Sequence, residues 1–138
     1  MIKVIYQGNL RTQATHINSQ NQIITDAPKD NHGKGEAFSP TDLVCSSLAS
    51  CQMTMMGILA QREGINLEGL EAYVEKIMID NPRRIGRIKI TYTCPETLLL
   101  SVKEHEKLHR AAMTCPVALS LHSDIIQEVE WETLHLKA

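Results

Sequence analysis

Between Leu43 and Gln61 the chain runs nineteen residues without a formal charge, opened by Ser39-Pro40-Thr41-Asp42 and closed near Gly64. Ser39 can cap a helix, Pro40 suits the first helical position and Asp42 puts a carboxylate at its positive end. Gly64 is a plausible C-terminal stop. Leu43, Val44, Leu48, Ala49, Cys51, Met55, Met56, Ile58 and Leu59 then occupy most of the helix circumference. A helix that is apolar nearly all round is buried on most sides. In a chain of 138 residues this predicts cover on both faces, from other elements or from a second subunit. Ser46, Ser47, Ser50, Gln52 and Thr54 interrupt the run well short of a membrane span, so no membrane insertion is expected.

The rest of the sequence arranges itself around that helix. Met1 to Tyr6 and Leu10 to His16 alternate apolar and polar residues about a Gly8-Asn9 turn, and Gln22 to Thr25 reads as a third strand. Asp26 to Phe38 is a polar, Gly- and Pro-containing loop. Gly69 to Met78 and Ile85 to Thr93 read as strands joined by Asp80-Asn81-Pro82. Pro95 is expected to begin a second helix and Thr114-Cys115-Pro116 a short third one, before a last strand over Ile125 to Thr133 with Glu128, Glu130 and Glu132 on its wet face. The order β-β-β-α-β-β-α-α-β is an α+β fold, read as one domain over residues 1–138.

Composition narrows the function classes. Aromatics are only 4% against 43% hydrophobic residues, so aliphatic and methionine side chains must build the core. A net charge of −2 without a basic block lacks the footprint that phosphate-backbone binding needs, so nucleic acid is not an expected partner. The N-terminus lacks the pattern of a signal peptide, and a cytoplasmic location is expected.

Cysteine chemistry is what remains. Cys45, Cys51, Cys94 and Cys115 show no CxxC spacing, which argues against a disulfide scaffold or a ribbon-type zinc site. Cys51 falls mid-helix, where a thiol is ordinarily packing. Cys115, capping a helix that starts at Pro116, faces unpaired N–H groups that favour a thiolate. Cys45, about 240° round the helix from Cys51, reads as core, and Cys94 beside Pro95 as cap or packing.

Ser39-Pro40-Thr41-Asp42-Leu43 leading to Ser47-Leu48-Ala49-Ser50-Cys51, with a distant Cys115-Pro116-Val117, resembles the OsmC/Ohr family of osmotically inducible and organic hydroperoxide resistance proteins, nearer its broader OsmC-like branch. The resemblance implies an intertwined homodimer with the first cysteine on a central helix. It implies attack on an organic hydroperoxide by Cys51, resolution by Cys115, and re-reduction by an external dithiol, with no cofactor and no metal. It further implies an arginine on the N-terminal strands, for which Arg11 is the positional match, held by a carboxylate near the start of the central helix. The hydroperoxide-reducing branch carries a glutamate where this chain has Thr41; Asp42 follows one residue on. At ~1.5 Å per residue Asp42 lies roughly 13 Å along the helix from Cys51, so it would act through an arginine or from a partner chain.

Two alternatives stand beside the peroxidase reading. One is a non-catalytic relative that binds a hydrophobic ligand at the dimer interface. The other is a zinc-dependent hydrolase using His105-Glu106-Lys107-Leu108-His109, whose histidines stand one helical turn apart, although no third ligand is evident. That pair is expected to lie at the edge of a core helix.

Overall fold

The computed structural model describes all 138 residues. The chain groups into two compact units, Met1–Val44 and Cys45–Ala138.

The first unit is a three-stranded antiparallel sheet of β1 (Ile2–Gly8), β2 (Arg11–His16) and β3 (Gln22–Asp26), in that order. Gly8, Asn9 and Leu10 all take positive φ at the first turn, where Gly and Asn are tolerated most readily. The register sets Arg11 of β2 directly opposite Asp26 of β3. The polar loop after β3 folds back on itself. Glu36 donates its backbone N–H to Asp26 Oδ2 at 3.1 Å, and a Cβ on Gly33 would stand 1.7 Å from the Ala27 carbonyl oxygen.

Helix α1 (Pro40–Glu63) begins where the sequence places it. Ser39 Oγ accepts from the Asp42 N–H at 3.1 Å, and Asp42 Oδ2 accepts from the Ser39 N–H at 2.9 Å, a reciprocal cap. Gly64 ends it with φ +71. Cys45, Leu48, Ala49, Gln52, Met56 and Ala60 form its buried stripe. The expected cover on both faces is not supplied by this chain alone: Ile58 is 42% exposed. By length and composition α1 could also cross a bilayer, and a third of its most apolar stretch is buried within the chain.

The second unit is built on a mixed sheet ordered β4 (Glu71–Ile79), β5 (Arg84–Thr93), β7 (Ile126–Thr133). β5 pairs antiparallel with β4 and parallel with β7. Central β5 buries Ile88, Ile90 and Tyr92 completely on one face. The opposite face is wet, as the glutamate alternation predicts. Arg87 pairs there with Glu128, and Lys89 with Glu130 at 3.2 Å.

One expected boundary is wrong. Pro95 does not start a helix; it opens a turn closed by the Leu98 N–H on its carbonyl at 2.9 Å. Leu99–Leu100 forms a short strand, β6, parallel to β8 (His135–Leu136). Helix α2 (Val102–Met113) begins only after Ser101, which exchanges cap bonds with Glu104. The S-x-x-E capping box outweighs the proline as a start signal because it satisfies two N–H donors rather than merely tolerating a missing one. Cys94 is accordingly packing, with its N–H given to Thr133. Helix α3 (Pro116–Ser120) follows directly on α2.

Candidate functional site

Cys51 and Cys115 come together. Cys51 sits beside the buried stripe of α1, half-buried and reachable, whereas Cys115 is fully buried. Pro116 at the first position of α3 leaves Cys115 as the extended cap residue, its Sγ accepting from the Ala118 N–H at 3.3 Å. Cys51 is near enough to act on the Cys115 thiol.

The capping argument nevertheless gives the wrong sign for Cys115. Burial pushes its pKa up and is the largest influence. The Ala118 and Val117 N–H groups pull it down, while Cys51 adds to the rise. Desolvation outweighs a cap bond to sulfur, so Cys115 is a neutral thiol. The local case for Cys115 as the thiolate falls, and the reachable thiol is Cys51. Both cysteines are free, as are Cys45 and Cys94.

A buried amide and hydroxyl join α1 to β5. Tyr92 donates its hydroxyl to Gln52 Oε1 at 2.7 Å, both side chains being fully buried. Burial, and secondarily the charge Cys115 would carry, push the Tyr92 pKa up, so it remains a neutral donor. The other end of the amide, Gln52 Nε2, is buried without a hydrogen-bond partner. The Tyr92 ring lies 4.9 Å from Trp131, whose Nε1 donates to His109 Nδ1 at 3.2 Å. Sequence reading passed over Gln52 and Tyr92. The available signal was Gln52 itself, the one amide at a core position of an apolar helix.

Arg11 and Asp42 belong to the first unit. Arg11 forks onto Asp26, with Nε–Oδ1 at 2.6 Å and Nη2–Oδ2 at 2.8 Å, and reaches Glu36 Oε2 at 3.1 Å. Asp26 is buried to 1% exposure, and the guanidinium holds its carboxyl below the usual range. Asp42 serves the α1 cap. Asp26 and Glu36 were also missed, although Arg11 and Asp26 being cross-strand partners is readable once the hairpin register is known.

His105 and His109 stand on α2 with ring centroids 6.3 Å apart. His105 packs edge-on against Trp131 at 4.8 Å, and burial lowers its pKa. His109 has one ring nitrogen occupied by Trp131. No group of three or more His, Cys, Asp or Glu side chains is arranged to hold a metal. The residues present do not fit a zinc hydrolase, and the pair is the edge of a core helix.

A sequence model of the family described as OsmC-like protein matches residues 33–130, well over half of the chain. The chain belongs to the OsmC-like family. Its fold matches that of solved OsmC-like structures. A Psychrobacter arcticus protein, provisionally named for osmotic stress induction and detoxification response, is 50% identical, with TM-score 0.91 over 95% of this chain and 94% of that one. An OsmC-like protein from Mycoplasma pneumoniae shares the fold at 20% identity and TM-score 0.78, over 98% and 96% of the two chains. A Legionella pneumophila organic hydroperoxide resistance protein does so at 17% identity and TM-score 0.73, over 95% and 94%. No curated protein matches this OsmC-like chain.

Proposed function

We propose that this OsmC-like protein is a thiol-dependent peroxidase that reduces organic hydroperoxides through Cys51 and Cys115. The observation that carries the reading is a reachable thiol, Cys51, standing close enough to the fully buried Cys115 to raise its pKa. The Cys51 thiolate attacks the O–O bond and takes the distal oxygen as a sulfenic acid, and the departing alkoxide leaves as an alcohol after taking a proton. The Cys115 sulfur then displaces that oxygen, forming the disulfide, and its thiol proton leaves in the water released. An external dithiol attacks the disulfide, restores both thiols and departs as its own disulfide.

In this reading Arg11 favours the Cys51 thiolate and Asp42 helps order the start of α1. A guanidinium already bearing Asp26 and Glu36 carries no surplus positive charge. Arg11→Ala is expected to slow Cys51 alkylation near neutral pH, and Arg11→Lys to recover only part of the rate. The protein works as a soluble cytoplasmic homodimer, in a compartment where thiols are kept reduced. Supporting the dimer are the apolar side chains that one chain leaves open, among them Ile2, Val4 and Tyr6 of β1 and Ile58 of α1. An obligate interface buries more than ~2,000 Å², so a monomer in light scattering at micromolar concentration would remove that part.

The test is turnover of cumene hydroperoxide and hydrogen peroxide with a dithiol reductant, by wild type and Cys51→Ser. Turnover abolished in the variant supports the enzyme. Absence of turnover in wild type, with tight binding of an apolar ligand, would support a binding protein instead.

A further inference from the structure

The wet face of the β4–β5–β7 sheet carries a charge ladder that stops one rung short. Each cation of β5 reaches diagonally to the glutamate one step further along β7. Arg87 stands opposite Ile126 and pairs with Glu128; Lys89 stands opposite Glu128 and pairs with Glu130 at 3.2 Å. The next residue of β5 on that face, Thr91, stands opposite Glu130. The same diagonal leads from it to Glu132, but Thr91 brings no charge. Strand β7 also bulges here. Tyr92 faces Trp131 and Thr93 faces Thr133, so Glu132 has no residue across from it, and it makes no ion pair. A bulge of this kind re-aims a side chain. On the other side of Thr91, β4 sets Tyr73, which is 64% exposed. Between them lies a cleft of about 370 Å³ lined by Tyr73, Lys89, Thr91, Glu130, Trp131 and Glu132. All of it belongs to the second unit.

We propose that this cleft binds a small alkylamine, whose ammonium takes the place of the missing third cation beside Glu132 and whose apolar stem lies along the Tyr73 ring. The volume is at the low end for small-molecule pockets, with room for a short amine and not for a folded partner. The lining decides the sign of the ligand's charge. Lys89 is already held by Glu130, whose hydrogen bond raises the lysine pKa. An incoming anion would find that cation engaged and would meet the Glu132 carboxylate. A cation meets the same carboxylate as a partner, the Thr91 hydroxyl as an acceptor and an exposed phenol ring to lie against. A primary ammonium suits the place better than a quaternary one. Its N–H groups can use the carboxylate and the hydroxyl, and one exposed phenol does not make the aromatic cage that a quaternary head needs. The site is independent of the two cysteines and of the peroxidase reading.

Trp131 is the only tryptophan in the chain and lines the cleft, so its fluorescence reports occupancy. Titration of wild type with pentylamine at pH 7 and low salt should give a saturable change, and pentanol and pentanoate should give none. Raising ionic strength from about 0.01 M to about 0.15 M shortens the Debye length from about 30 Å to about 8 Å and should weaken binding severalfold. Glu132→Gln should weaken it about tenfold with Tm unchanged. Thr91→Lys supplies the third cation from the chain itself and should abolish binding; should it fail to fold, Glu132→Gln decides alone. N-acetyl-lysine methylamide carries the same ammonium on a peptide stem that the small cleft must also admit, and it should bind several times more weakly. Tighter binding of that probe than of pentylamine would overturn the assignment to a free amine. No saturable change with pentylamine, an equal response to pentanol, or an affinity in Glu132→Gln within twofold of wild type would overturn the site itself.

Discussion

Alkylation of the four thiols with iodoacetamide at pH 7 should be confined, at early times, to Cys51. The structure sets the margin. Burial raises the Cys115 pKa, so it stays a thiol at neutral pH, and with 0% exposure it reacts only after local opening. Cys45 and Cys94 are each 3% exposed, and burial raises the Cys94 pKa as well. Cys45, Cys94 and Cys115 should therefore label only at the rate of local opening, on the order of tenfold or more slowly than half-buried Cys51. Intact-mass kinetics with peptide mapping gives the order of labelling directly. Cys115 labelled as fast as Cys51 would refute the assignment of attacking and resolving thiols.

Acid should destabilise the fold in two windows. Burial lowers the His105 pKa, so the unfolded chain takes its proton first and stability falls as pH drops below ~6.5. Asp26 and Glu104 are held below their ordinary values, Glu104 at about 2, chiefly by Arg11 and by Lys137 respectively. Their contribution is whole above pH ~4.5 and is lost on descent toward 2. Urea midpoints from pH 7 to 3 should show both declines, and Glu104→Gln should flatten the lower one; an unaltered profile would refute the Lys137 and Ser101 contacts as its cause. Gly33→Ala forces the Ala27 carbonyl aside, and at ~1–3 kcal/mol for such overpacking Tm should fall by several degrees. An unchanged Tm would mean the loop relaxes freely.

Much of this was readable from the residues because local signals agreed with one another. Ser39, Pro40 and Gly64 bracket α1 by capping chemistry alone, and the glutamates of β7 mark its wet face. The error at Pro95 shows the limit: a proline that can begin a helix also suits a turn, and only Ser101-x-x-Glu104 decided between them. The Cys115 cap was legible, but the sign of its pKa was not, because desolvation depends on what long-range packing places over the sulfur. Asp26 and Glu36 escaped notice for a similar reason. Their role follows from strand register and from a loop that returns across it. Gln52 and Tyr92 are forty residues apart in sequence, and nothing local joins an amide on a helix to a phenol on a strand.

The central claim is that Cys51 and Cys115 form one redox pair, and peptide mapping after a single equivalent of cumene hydroperoxide tests it most directly. The protein should lose two thiols and two mass units per chain, with Cys51 and Cys115 joined in one disulfide-linked peptide that a dithiol releases. Cys45 and Cys94 should remain free. Oxidation that stops at a stable Cys51 sulfenic acid, or a disulfide that pairs either cysteine elsewhere, would contradict the account.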